Sequence, residues 1–74
     1  MGQEHRLDVR PLSIPERFKA IFGKLDEVPA GDSLLLINDF EPVPLFGELS
    51  QRGCTYESRQ LGPSEWHIKI SKSS

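Results

Sequence analysis

Cys54 is the sole thiol, and His5 and His67 the two imidazoles, in a chain of 74 residues. Cys54 follows Arg52-Gly53 at what reads as the C-terminal end of a helix, the negative pole of the helix dipole, with Arg52 its one neighbouring cation. That setting activates a thiolate poorly, so Cys54 is expected as a packed structural cysteine, with redox or sulfur-relay chemistry as the alternative. His5 and His67 fall on two expected strands and could meet across a sheet as metal ligands. Zinc sites require three or four placed ligands, and no third is spaced for the task, so both are expected as exposed spectators and neither a metal nor any other cofactor is expected. The adjacent carboxylates Asp26 and Glu27 diverge on a helix. No Ser/His/Asp set and no phosphate-cradling glycine loop can be assembled, so the chain is not expected to be an enzyme.

A second group of polar residues clusters in two stretches: Arg10, Ser13, Glu16 and Arg17 in one, Asn38, Asp39 and Glu41 in the other. What they can do depends on the elements that position them. Ser13-Ile14-Pro15-Glu16 is a helix start: Ser13 can accept from a free backbone N–H, Glu16 is spaced as its capping-box partner, and Pro15 needs no donor in the first turn. Ile14, Phe18, Ile21, Phe22 and Leu25 then recur at helical spacing, so one stripe faces a core while Arg17, Lys19 and Lys24 stay in water. Pro42 and Pro44 are tolerated near the start of a second helix, of about ten residues, whose apolar side is Leu45, Phe46 and Leu49 and which Gly53 ends. Glu48 and Arg52 stand at i,i+4 on it and can pair.

Strands fill the remainder. His5 to Arg10 alternates, with Leu7 and Val9 on one side, and ends at Pro11. Ser33 to Asn38 carries four consecutive aliphatic residues, the pattern of a strand that is central in its sheet or buried on both faces. Cys54 to Leu61 and Glu65 to Ser71 form a hairpin about Gly62-Pro63, the second strand with Trp66, Ile68 and Ile70 inward and His67, Lys69 and Ser71 outward. The order is β-α-β-α-β-β. A right-handed crossover followed by a second helix and a hairpin is satisfied by a two-layer α/β sandwich: one four-stranded mixed sheet with both helices on one face. Residues 1–74 are expected to form a single domain with an ordered core over about 5–71 and a disordered tail, Lys72-Ser73-Ser74.

Composition limits the partners. A formal net charge of −2 and a pI near 5.6 argue against a nucleic-acid binder. The longest aliphatic run, Leu34-Leu35-Leu36-Ile37, falls far short of a bilayer span, and Met1-Gly2-Gln3-Glu4-His5 has no apolar signal segment, so a cytoplasmic protein is expected.

Leu7-Asp8-Val9-Arg10-Pro11-Leu12-Ser13-Ile14-Pro15-Glu16 resembles the opening of TusA/SirA-like sulfur carriers, in which a Leu-Asp strand leads into a Cys-Pro-x-Pro helix start. Ala30-Gly31-Asp32-Ser33-Leu34-Leu35-Leu36-Ile37-Asn38-Asp39 is similar to that family's turn and second strand. Leu-Asp-Val-Arg, Pro-Glu-Arg, Leu-x-Asn-Asp-x-x-Pro-x-Pro-Leu and Gly-Pro-x-x-Trp look most like the uncharacterised DUF2249 branch. The resemblance implies the same fold, but the place of the carrier's cysteine is taken by Ile14 and that of its second proline by Arg17. It also implies that histidines often present in the branch are replaced here by Phe18 and Phe40, and it supplies no established activity.

In such a fold both helix starts lie at the carboxyl ends of the first two strands, bringing Arg10, Ser13, Glu16 and Arg17 towards Asn38, Asp39 and Glu41. One reading is a recognition surface in which Arg10 and Arg17 attract a partner's carboxylates or a small anion and Asp39 or Glu41 orients it. The other is that Ser13, Glu16 and Asp39 cap helices and the arginines solvate a surface. The expected function is a non-enzymatic binding or regulatory module that engages a protein partner through this end. The alternatives are a thiol protein acting through Cys54 and a binder of a small anion or haem-like ligand.

Overall fold

Prolines at two helix starts and glycines at two turns set the boundaries of the elements. In a computed structural model describing residues 2–72, these are β1 (Glu4–Asp8), α1 (Ile14–Glu27), β2 (Ser33–Asn38), α2 (Val43–Gln51), β3 (Cys54–Gly62) and β4 (Glu65–Lys72). Pro15 and Pro44 occupy the first turns of α1 and α2, where a missing N–H costs nothing. Gly31 (φ +93°) turns the chain into β2, and Gly53 (φ +75°) closes α2 with its N–H on the Ser50 carbonyl at 3.1 Å. Both sit in the left-handed region that side chains disfavour.

The four strands make one mixed sheet in the order β1-β2-β4-β3, with β1 and β2 parallel and the other pairs antiparallel. Leu34 lies opposite Ile70 and Leu36 opposite Ile68, so these four project from one face. They form the core with Ile21 and Leu25 of α1 and Leu45 and Leu49 of α2, which puts both helices on that face, as the β-α-β-α-β-β order predicts. The opposite face is open.

Several local expectations change. β2 is central in the sheet but not buried on both faces: Leu34, Leu36 and Asn38 are buried, while Leu35 and Ile37 on the open face are half-covered. β1 ends at Asp8 rather than Arg10, because Asp8 Oδ1 accepts the Arg10 backbone N–H at 3.0 Å and the Leu12 N–H folds back to the Val9 carbonyl at 3.0 Å, an Asx turn that leaves the ladder. Lys72 belongs to β4 rather than to a disordered tail; its Nζ donates to the Leu25 carbonyl at 2.8 Å, at the C-terminal end of α1 where a cation suits the dipole. Ser73 and Ser74 of that tail lie outside the described residues. Arg52 turns away from Glu48, lying 4.3 Å from the Phe22 ring centroid and 3.9 Å from Asp26, and so ties α2 to α1.

Candidate functional site

The α1 start, the α2 start and the end of β2 converge on one side chain. Arg17 has five guanidinium N–H groups, and five hydrogen bonds leave it. Nε donates to the Leu12 carbonyl (2.9 Å); Nη1 donates to Asn38 Oδ1 (2.8 Å) and Asp39 Oδ1 (2.7 Å); Nη2 donates to the Arg10 carbonyl (3.0 Å) and Asp39 Oδ2 (3.2 Å). Asn38 Nδ2 in turn donates to the Phe40 carbonyl at 3.0 Å. The expectation that Arg17 stays in water is therefore overturned: it is 8% exposed. A guanidinium can be buried here because every donor meets an acceptor, two of them on the Asp39 carboxylate in the bidentate geometry that suits the fork.

Burial of Arg17 is readable in its spacing. Arg17, Ile21 and Leu25 are the buried residues of α1, at i, i+4 and i+8, and Asn38 follows Leu34 and Leu36 at the period of a strand. A charged residue on an apolar line signals a buried pair as well as a break in the stripe. Ile14, assigned to the core-facing stripe, is instead 47% exposed.

The remaining residues of the expected cluster are used locally. Arg10 does not reach outward: its Nε and Nη2 grip Asp8 at 3.0 and 2.7 Å. Ser13 occupies the N-cap of α1 without accepting from a backbone amide; its hydroxyl donates to Glu16 Oε1 at 2.7 Å. Asp39 does not cap α2, whose N-cap is Pro42, because its carboxylate is drawn to Arg17. Glu41 Oε2 accepts from the Ser58 hydroxyl at 3.2 Å. The two stretches do meet at the helix starts, but Arg17 directs its charge inward and Arg10 spends its charge on Asp8 at the surface.

Beside the exposed Arg10, Ser13, Glu16 and Glu41, this end also presents apolar side chains outward. Ile14 (47% exposed), Phe40 (40%) and Val43 (58%) are three of the large exposed hydrophobic residues among those described. Ile14, Phe18, Phe40 and Pro42 line a small depression floored by Arg17 and Asn38, and the Arg17 guanidinium lies 5.6 Å from the Phe40 ring centroid.

His5 and His67 do not meet. His5 is opposite Leu34 and therefore on the helix side, whereas His67 is opposite Ile37 and on the open side. Neither is a bare spectator, for His5 Nε2 lies 3.0 Å from Asp32 Oδ2 and His67 Nε2 lies 2.8 Å from Glu65 Oε2. Among the described residues no group of three His, Cys, Asp or Glu side chains could hold a metal ion. Cys54 is buried within the core and lies opposite Lys72, at the other end of the sheet from Asn38. No described helix is long and apolar enough to cross a membrane.

Three aspartates have carboxyls held below their ordinary range. Arg10's hydrogen bonds hold Asp8 below the usual carboxylate range, those of His5 and then the Gln3 amide do so for Asp32, and those of Arg17 do so for Asp39. A carboxylate whose folded pKa is depressed contributes stability that is complete above its unfolded pKa, about 3.9 for aspartate, and lost as pH falls through the folded value. The denaturation midpoint is thus expected to be flat against these three groups above about pH 5 and to fall below about pH 4. Asp39→Asn should lower the plateau and flatten the fall; urea melts of both forms from about pH 7 to about pH 2.5 check this, and parallel curves would contradict it.

Fold and site together define a small two-layer α/β module in which the buried Arg17, paired with the partly exposed Asp39, ties the start of α1 to the end of β2 beside exposed apolar side chains. Residues 6–72 match DUF2249, a family of uncharacterized conserved proteins, and the chain belongs to that family. No curated protein and no solved structure gives a significant match.

Proposed function

We propose that this chain is a non-enzymatic binding module that docks a protein partner at the end where both helices begin, through Ile14, Phe40 and Val43 rather than through its arginines. The observation that carries this reading is the pairing of an outward apolar surface with an inward, fully hydrogen-bonded Arg17. The guanidinium has no donor left for an anion, while Ile14 and Phe40 turn a large part of their apolar surface to the outside. Partly exposed aromatic and aliphatic residues beside a rigid polar base are the usual anchors of an interface, where one truncation costs about 2 kcal/mol or more.

A relationship to TusA/SirA-like sulfur carriers belongs to the same proposal. The element order supports it, as does Pro15 in the first turn of α1. At the carrier's thiol position stands Ile14, so the end that would hold sulfur covalently holds a partner by burial instead. The brace through Arg17 supplies the rigidity that such a surface needs.

Capture from the source lysate with immobilised protein tests the reading. Ile14→Asp and Phe40→Asp, each shown to be folded by circular dichroism, are expected to lose at least about tenfold of a partner retained by the wild type, about 1.4 kcal/mol. Lys19→Asp, on the exposed flank of α1, should retain it. Equal capture by all forms, or catalytic turnover by the purified chain that one substitution removes, would overturn it.

A further inference from the structure

We propose that a second copy of this chain docks along the free edge of β3, the two β3 strands pairing antiparallel about a two-fold axis at Ser58 to join the two sheets into one. β3 has a strand on one side only, at the β4 border, and its other edge is the end of the sheet. It is nine residues long, and Thr55, Tyr56, Glu57, Arg59, Gln60 and Leu61 are exposed. An exposed edge of this length is a template for another strand, and proteins normally blunt such edges with lysine, proline, bulges or short length. β3 contains neither lysine nor proline, and its one irregularity sits at the Gln60/Gly62 end. The other edge strand, β1, is five residues long, and its outward residues are occupied within the chain, Arg6 with Glu4 and Asp8 with Arg10.

Charge fixes the occupant and the register. Centring the axis on Ser58 sets Glu57 opposite Arg59 of the second copy and Arg59 opposite its Glu57, two opposite-charge pairs on the open face. Directly opposed residues of unlike charge stabilise a sheet, and like charges destabilise it. Moving the centre by one residue either way sets Glu57 against its own copy or Arg59 against its own. A single register is therefore self-complementary. On the other face the same register sets Tyr56, whose ring stacks on Phe46 at 4.3 Å, opposite Gln60 of the copy, so the pair rests on a strand already braced by α2. Glu41, the neighbour of Phe40, accepts from the Ser58 hydroxyl at 3.2 Å, so the two surfaces adjoin on the helix side, but the pairing uses the β3 backbone and its open-face charges and does not depend on Ile14 or Phe40.

Sedimentation equilibrium of the full chain, carried to about 1 mM to reach weak association, tests it. The wild type is expected to shift from monomer to dimer. Glu57→Arg and Arg59→Glu should each weaken the dimer at least about tenfold, because every cross-strand charge pair becomes a like-charge pair. A 1:1 mixture of the two variants should restore it as a heterodimer: the chain carrying Glu57→Arg is then basic at both positions, the chain carrying Arg59→Glu acidic at both, and each cross-strand pair is again of unlike charge. The double swap Glu57→Arg/Arg59→Glu should restore the homodimer for the same reason. Phe40→Asp should dimerise as the wild type does. A wild type that remains monomeric throughout, a dimer indifferent to both single substitutions, or variants that fail to complement each other would each overturn the proposal.

Discussion

Arg17→Met is expected to remove a large share of the domain's stability. The substitution removes five hydrogen bonds and strands acceptors at the Leu12 and Arg10 carbonyls, Asn38 Oδ1 and the Asp39 carboxylate. The Asp39 side chain is 37% exposed and can take up water, so the cost falls chiefly on Asn38 Oδ1 and the two carbonyls, a buried acceptor left without a donor costing about 1–3 kcal/mol. A domain of this length has a total stability on the order of 4–11 kcal/mol at the usual value per residue, so a loss of this kind takes a large share of it. Arg17→Lys should fall between the two: an ammonium keeps the charge near Asp39 but cannot span acceptors on both the loop before α1 and the end of β2. Adding Asn38→Leu to Arg17→Met should recover little, because it removes one stranded acceptor, Asn38 Oδ1, but takes from the Phe40 carbonyl the Asn38 Nδ2 donor it has in the wild type. Urea melts of the four forms check this; a loss under about 1 kcal/mol in Arg17→Met would show that the network is not a brace.

Leu36→Ala is expected to be comparably severe for a different reason. Leu36 is fully buried in the central strand, flanked by Leu7 on β1 and Ile68 on β4 and covered by the helices. Truncating a leucine in such a place costs about 2–5 kcal/mol, the transfer of the lost methyls plus the cavity they leave. Each kcal/mol lowers the melting temperature of a domain this small by roughly 4–8 °C. Leu35→Ala, one residue away on the open face, should cost less than half as much, because Leu35 is only half-covered. Thermal melts of the pair measure the difference between the two faces of the sheet directly. Equal losses would place a second layer over the open face.

Much of this architecture is legible in local chemistry. Helical spacing through Phe18, Ile21 and Leu25, prolines at both helix starts, glycines at two turns and the alternation about Ile68 and Ile70 together specify six elements in the observed order. Each of those signals acts within one turn or one strand, where backbone sterics and side-chain direction depend on neighbours in the chain. Strand ends are less legible, because the Asx turn at Asp8 competes with the ladder and only the folded geometry shows which prevails.

Local propensity and the handedness of the crossover are thus enough to give, from the amino acids alone, the element order and the two-layer class, whereas the aliphatic run of β2 fits a central or a doubly buried strand and only the sheet order decides for the first. The destination of each polar side chain is settled later, by the assembled fold. Arg17 points inward because Asn38, Asp39 and two loop carbonyls from distant segments converge on it with matching geometry, and Ile14 is left outward on the same helix. His5 and His67 separate because register puts them on opposite faces. A long side chain can satisfy its charge either in water or among several converging acceptors, and the choice depends on atoms far away in sequence, whose positions exist only once the chain has folded.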